Sequence, residues 1–276
     1  MSVEYLTNDT DLKKVADAIR AKGETTDLLT FPDGFVTAIQ NIKTAPKIDP
    51  VFANNDWGTI ISACASGDVP DTWTVGKNKT MTINGTDYQI DIIGKNHDDY
   101  ADGSGKAPLT LMLHTSYAQT AYMNPSKTSN DWINSYMRKT YLPNILSLMP
   151  NEVQTGIKEV NKVTGKGSGS EETTVSSEKL FLLSGKEVID DLSNNQTPGE
   201  GTQYEYFTSD INNRCNAKIA STRDPSWWLR SPTRSTGGAS DYYGFLTMYK
   251  DINNSNADLS YDNCNESHGV SFAFCF

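Results

Sequence analysis

The stretch "TMTINGTDYQIDIIG", residues 80–94, limits the architecture more than any other part of the chain. Met81 and Ile83 alternate with polar residues on one side of Asn84-Gly85, and Tyr88, Ile90 and Ile92 do so on the other. Asn-Gly is the pair that a type I′ turn demands, because both central residues need φ > 0. An antiparallel hairpin is therefore expected, and "LTLMLHTSY" at 109–117 reads as a further strand. "LFLLS" at 180–184 is a short apolar run suited to a buried strand. "NDWINSYMRKTYL" at 130–142 places Trp132, Ile133, Tyr136 and Met137 on one helical face, with Pro143 interrupting. "GKGSGSEETTVSSEK" at 165–179 reads as an exposed loop, and "NNQTPGEGTQ" at 194–203 marks another loop. Helices and strands occur without regular βαβ alternation, so the expected fold class is α+β.

The N-terminal region has a different texture. Leu12, Val15, Ala16 and Ile19 fall at helical spacing after Asp and Thr caps, and Gly23 would stop the helix. "FPDGF" is turn chemistry, after which Phe35, Ile39 and Ile42 suggest a second short helix. Two short amphipathic helices bury little by themselves, so residues 1–45 are expected to form an attachment or oligomerisation unit. "TAPKIDPVF" carries two prolines, and 46–72 reads as linker and lead-in, leaving 73–276 as the main domain.

Charge excludes some functions. A net charge of −10 argues against a nucleic-acid binder, which needs Lys and Arg to neutralise phosphates, and against a polybasic membrane contact. No apolar stretch is long enough to span a bilayer, and "MSVEYLTNDTDLKK" lacks the pattern of a secretory signal. Cys64, Cys215, Cys264 and Cys275 form no CxxC pair, which favours buried free thiols over zinc or disulfides. No metal or cofactor is expected. "HDDYADGSG" at 97–105 has Asp98, Asp102 and Gly103 in the places of a calcium loop. Tyr100 and Leu109 stand where ligands are required, so a turn-forming acidic loop is the better reading, with an irregular cation site as the alternative. "EVIDDL" at 187–192 is explained by a solvated helix face as well as by an acid/base pair. No catalytic motif surrounds His97, His114 or His268, and the chain is not expected to be an enzyme.

"DPSWWLRSP" at 224–232 and the closing "GVSFAFCF" resemble a C-terminal domain that recurs in tail and surface proteins of Gram-positive bacteria and their phages. There a "WWLRSP" segment precedes one like "GVRPAF". The stretches "HDDYADGSGKAPLT", "YMNPSKTSNDWINSYMRKTYLP", "IKEVNKVTGKG", "SEKLFLLSGKEV" and "VADAIRAKGETTDLLTFPDGFVTAIQNI" are also similar to that family, so the resemblance covers nearly the whole chain. Ser271 and Phe272 stand where Arg and Pro are usual, which weakens any role resting on that Arg.

The resemblance implies a C-type-lectin-like fold, and some such proteins are targets of diversity-generating retroelements, which mutate adenines near the 3′ end of the gene. Randomising AAC codons yields Asn, Asp, Tyr and Ser among others. In residues 233–268 these four make up 18 of 36 positions. An ordinary polar loop leaves the same skew; with the resemblance, 233–268 reads as a variable region. The implied ligand contacts are Asp241, Tyr242, Tyr243, Tyr249, Asn253, Asn254, Asn256, Tyr261, Asp262, Asn263, Asn265, Ser267 and His268, with Cys264 as another randomised codon. Tyr, Ser and Asn suit such a surface because they combine rigid contact area with adaptable hydrogen bonding. Trp227, Trp228, Arg230, Phe272 and Phe274 would be scaffold, Arg230 tying a loop down through several hydrogen bonds. The implied role is a receptor-binding protein of a phage or prophage tail, located in the virion. Its partners would be a bacterial surface protein or glycan and other tail proteins, and tail geometry suggests a homotrimer. The alternatives are a structural tail or baseplate protein without diversified binding and an enzyme acting on cell-surface glycans.

Overall fold

The computed structural model describes residues 8–23, 25–42, 47–167, 170–190, 199–219, 226–233, 243–251, 253 and 256–276. The chain divides into two compact units, Met1–Lys47 and Ile48–Phe276.

In the first unit, α1 (Asp9–Lys22) and α2 (Asp33–Asn41) pack through Ala16, Ile19 and Phe35. The cap of α1 is Asn8, whose side chain accepts from the Asp11 N–H, rather than the Asp or Thr expected from sequence. Leu28, Phe31, Val36 and Ile39 remain exposed.

The second unit is α+β with antiparallel sheets. Its elements run α3 (Trp57–Ser66), β1 (Asn78–Ile83), β2 (Thr86–Gly94), β3 (Thr110–Leu113), α4 (Leu142–Ser147), α5 (Asn151–Gly156), β4 (Val160–Gly165) and β5 (Thr173–Glu178). There follow α6 (Gly185–Val188), α7 (Glu205–Thr208), α8 (Ile211–Ala217), β6 (Ser226–Pro232), β7 (Gly244–Lys250), β8 (Ala257–Asn263) and β9 (Ala273–Cys275). A four-stranded sheet has the order β1-β2-β3-β9, β4 and β5 form a hairpin, and a three-stranded sheet has the order β6-β7-β8. The expected turn lies between β1 and β2, with Asn84 at φ 49° and Gly85 at φ 76°.

Both larger sheets bury side chains on both faces, and strand alternation sorts them into two cores. Leu111, Trp228, Phe245, Phe272, Phe274 and Phe276 enter one. Met112, Trp227, Leu229, Met248, Ala273 and Cys275 enter the other. The "GVSFAFCF" run thus serves two cores at once.

Several expectations are corrected. Of 46–72, read as linker and lead-in, the residues from Ile48 onward belong to the larger unit, where Phe52, Trp57, Ile60 and Cys64 are core. The helix expected at 130–142 begins only with a wide turn at Met137–Tyr141, and Pro143 sits in the first turn of α4, where its missing N–H costs nothing. The exposed loop expected at 165–179 contains β5, paired to β4. "LFLLS" is buried but irregular, with only Phe181 bridging Ala273. Glu187 is not on a solvated face: it closes a capping box with Ser184 and is 2% exposed. The four cysteines are free and buried, and burial pushes the Cys64 and Cys215 thiols up to about 12.

The acidic loop at 97–105 begins at a buried ion pair. Asp98 is buried, 2.7 Å from the Lys162 ammonium, and accepts from Thr110 and Tyr204. Burial pushes its carboxyl up, but the attraction of Lys162 and the donated hydrogen bonds outweigh that and hold it at about 2. Because this lies below the unfolded value of 3.8, the stability involved, about 2 kcal/mol, is complete above pH ~4 and lost as pH falls toward 2. Thermal midpoints measured over that range should drop less steeply in Asp98→Asn than in the parent. Equal slopes would remove Asp98 from the account of acid unfolding.

Candidate functional site

β6, β7 and β8 make the sheet that carries most of the described residues singled out for ligand contact. Trp227 pairs with Met248 and Trp228 with Thr247. Across the next ladder Phe245 pairs with Asp262, Leu246 with Tyr261, Thr247 with Ser260, and Tyr249 with Asp258. Directly paired residues share a face. One face therefore carries Trp227, Leu246, Met248, Leu259 and Tyr261. The other carries Ser226, Trp228, Thr247, Tyr249, Asp258, Ser260 and Asp262.

On this second face burial grades from inside to outside across the strands. Trp228 and Phe245 are fully buried, Thr247 is 3% exposed, Tyr249, Ser260 and Asp262 are half-buried, and Asp258 is exposed. The outer strand β8 pairs only with β7 in this sheet. His268 closes the face from the following segment. Its Nδ1 lies 2.6 Å from Ser226 Oγ, its Nε2 lies 3.1 Å from Asp262 Oδ2, and its ring meets Trp228 edge-on at 4.5 Å. The His268 backbone exchanges hydrogen bonds with Ala121, which also accepts the Trp228 Nε1–H at 2.7 Å.

Ser226, His268 and Asp262 have the composition of a hydrolase triad. The ring is reversed relative to the familiar arrangement, with Ser on Nδ1 and Asp on Nε2, and Ser226 is 8% exposed. As it stands, the row holds the imidazole at a fixed angle on the face.

The expected contact residues are not all brought together. Tyr249, Asp262 and His268 share the face just described, while Tyr261 and Asn263 point to its reverse. Tyr243 is half-buried against the first core and its carbonyl accepts from Cys264, itself 0% exposed; neither is displayed outward. Asn253 is exposed in the β7–β8 turn. Asn256, exposed beside it, accepts at Oδ1 from Asn212. Asn265 and Ser267 are exposed in the turn after β8. Asp241, Tyr242 and Asn254 lie outside the described residues. Ser226, Thr247, Asp258 and Ser260 were missed. The period-two spacing of Asp258, Ser260 and Asp262 was the available signal.

Trp227, Trp228, Arg230, Phe272 and Phe274 are fully buried. The guanidinium of Arg230 donates to Thr164 Oγ1, the Leu182 and Val163 carbonyls, and both carboxylate oxygens of Glu187. It thereby joins β6 to β4 and to the 182–187 segment. Among the described residues no group of three or more His, Cys, Asp or Glu side chains could hold a metal ion.

A family model described as a domain of unknown function, DUF6273, matches residues 109–275, more than half of the 276-residue chain, and the chain belongs to that family. The match takes in β3 to β9, and therefore the whole candidate face. No curated protein and no solved structure matches the chain.

Proposed function

We propose that this chain is a ligand-binding protein of a phage or prophage tail, displaying a diversified surface on a C-type-lectin-like scaffold. The observation that carries this reading is the burial gradient of the β6-β7-β8 sheet. Side chains of β8 can change at the edge while Trp228 and Phe245, which position the strand, stay packed. A small sheet bearing the variable segment beside a larger one that includes the C-terminal strand is consistent with the lectin-like arrangement. The ligand is a bacterial surface protein or glycan. The N-terminal helical unit attaches to other tail proteins or brings copies together, as a homotrimer in the simplest tail geometry, and its exposed Leu28, Phe31, Val36 and Ile39 suit that role. Repeated copies would raise weak individual contacts to useful avidity.

Sequencing the gene in sibling genomes tests the proposal. Substitutions derived from adenines should concentrate in the codons for residues 233–268, and among the described strands on Tyr249, Asp258, Ser260 and Asp262. An unvarying 3′ end would favour the structural tail protein. The Ser226–His268–Asp262 row keeps the enzyme reading alive, and covalent labelling of Ser226 by a fluorophosphonate would favour it over the binding role.

A further inference from the structure

Five of the chain's thirteen tyrosines gather in one belt on the larger unit. Tyr88, on β2, stacks on Tyr117 with ring centres 5.4 Å apart, and Tyr122 meets Tyr136 at 5.0 Å. Tyr141 links the two pairs: burial pushes its hydroxyl up to about 12, and Tyr117, Tyr136 and Tyr88 are close enough to push it the same way. Backbone bonds hold the rings in place. The Tyr117, Ala121 and Asn124 N–H groups donate to the carbonyls of Val270, His268 and Cys264. The Met137 N–H donates to the Met123 carbonyl and the Tyr136 N–H to Asn124 Oδ1, which keeps Tyr136 beside Tyr122. The Ala121–His268 bridge puts those two side chains on one side. Tyr122, between the buried Ala121 and Met123, is half-buried and leaves on the other. The belt is thus separate from the face that His268 closes.

Its chemistry is uncharged. The stretch "TSYAQTAYMNPS", residues 115–126, has no acidic or basic residue in a chain of net charge −10. Arg138 and Lys139, which follow Tyr136 closely, are engaged by Glu178 and Asn134. An ionic ligand would find no counter-charge along this stretch. Nor would a peptide strand find a ladder to join. The N–H groups named above are taken, as is that of Ala118, which donates to the Tyr88 hydroxyl. The Gln119 and Ala121 carbonyls accept from the Tyr141 hydroxyl and the His268 N–H. What remains are ring faces and side-chain hydrogen-bonding groups. The Tyr122 and Tyr136 hydroxyls have no partner among the described residues, and Gln119 and Thr120, just before Tyr122 in the chain, are exposed. A sugar ring matches that combination, with C–H faces for the negative face of a tyrosine and hydroxyls for the polar groups at its rim.

We propose that this belt is a second binding site, for a neutral oligosaccharide stacked on Tyr122 and Tyr136. It lies outside residues 233–268 and stands whether or not they are diversified. The test is to screen the full chain against an array of neutral and acidic oligosaccharides beside an array of short peptides, and to titrate each retained compound by calorimetry. Neutral oligosaccharides should be retained, with an affinity that stays constant as salt rises. Tyr122→Ala should weaken binding by about tenfold through the lost ring face, and Tyr136→Ala by a similar factor. Tyr122→Phe keeps the packing on Tyr136 and removes only the hydroxyl, so it should keep the circular dichroism of the parent and lose about threefold in affinity. Retention of no neutral oligosaccharide, or of peptides alone, would overturn the proposal, as would Tyr122 variants that bind like the parent. A sugar lost from Asp258→Ala and kept by Tyr122→Ala would belong to the β6-β7-β8 face and overturn it too.

Discussion

Replacing Arg230 with Ala is expected to cost about 3–5 kcal/mol and to leave little folded protein at 37 °C. The guanidinium is 0% exposed, and Glu187 beside it is 2% exposed. Deleting Arg230 leaves the buried Glu187 carboxylate with Lys162, 2.5 Å away, as its remaining cation among the described residues. Burial raises the Glu187 carboxyl, while Arg230 and then Lys162 lower it further, so it is held ionised below its ordinary value. Two carbonyls, Val163 and Leu182, lose donors in the same substitution. Arg230→Lys should recover only part of the loss, because an ammonium cannot reproduce the two-pronged contact with Glu187. The double variant Arg230→Met/Glu187→Gln should be more stable than Arg230→Ala alone. Urea midpoints decide the matter. If Arg230→Ala falls within about 1 kcal/mol of the parent, the network is not what joins β6 to β4.

Trp228→Ala should cost a similar amount, about 3–5 kcal/mol, through the cavity left and the lost hydrogen bond to Ala121. Tyr261→Ala and Asp258→Ala, on the outermost strand, should stay within about 0.5 kcal/mol. The contrast matters more than either value. A surface that can be rewritten requires that stability reside elsewhere, and these substitutions lie only a strand or two apart. Comparable losses at Trp228 and Tyr261, read from the same denaturation curves, would make β8 part of the core and leave no room for diversification there.

Local patterns in the sequence announced the elements that depend on local physics. Asn84-Gly85 specified its turn, and α1 and α2 followed from apolar spacing. The alternating phenylalanines from Phe272 onward were legible as a strand serving a core. What escaped depended on partners far away in the chain. Glu187 looked solvated because nothing nearby announces Arg230 or Lys162. β5 looked like a loop because its Thr and Ser give no apolar signal even where, as at Ser176, they are buried, and 46–72 looked like linker and lead-in because Pro46 and Pro50 hid the helix behind them. The candidate face was half legible. Composition marked the segment, but a list of consecutive residues ignores that Tyr261 and Asp262 leave a strand in opposite directions.

That β8 has a neighbour on only one side has a further consequence. Its N–H groups at Leu259 and Asn263 are held by the neighbouring Asp258 and Asp262 carboxylates, and that of Ala257 by Asn212. A codon change at Asp258 or Asp262 would therefore release a main-chain donor at the edge as well as alter a side chain, and so change what an adjoining polypeptide strand could bond to. Asp258 and Asp262, meanwhile, would discourage identical edges from zipping together.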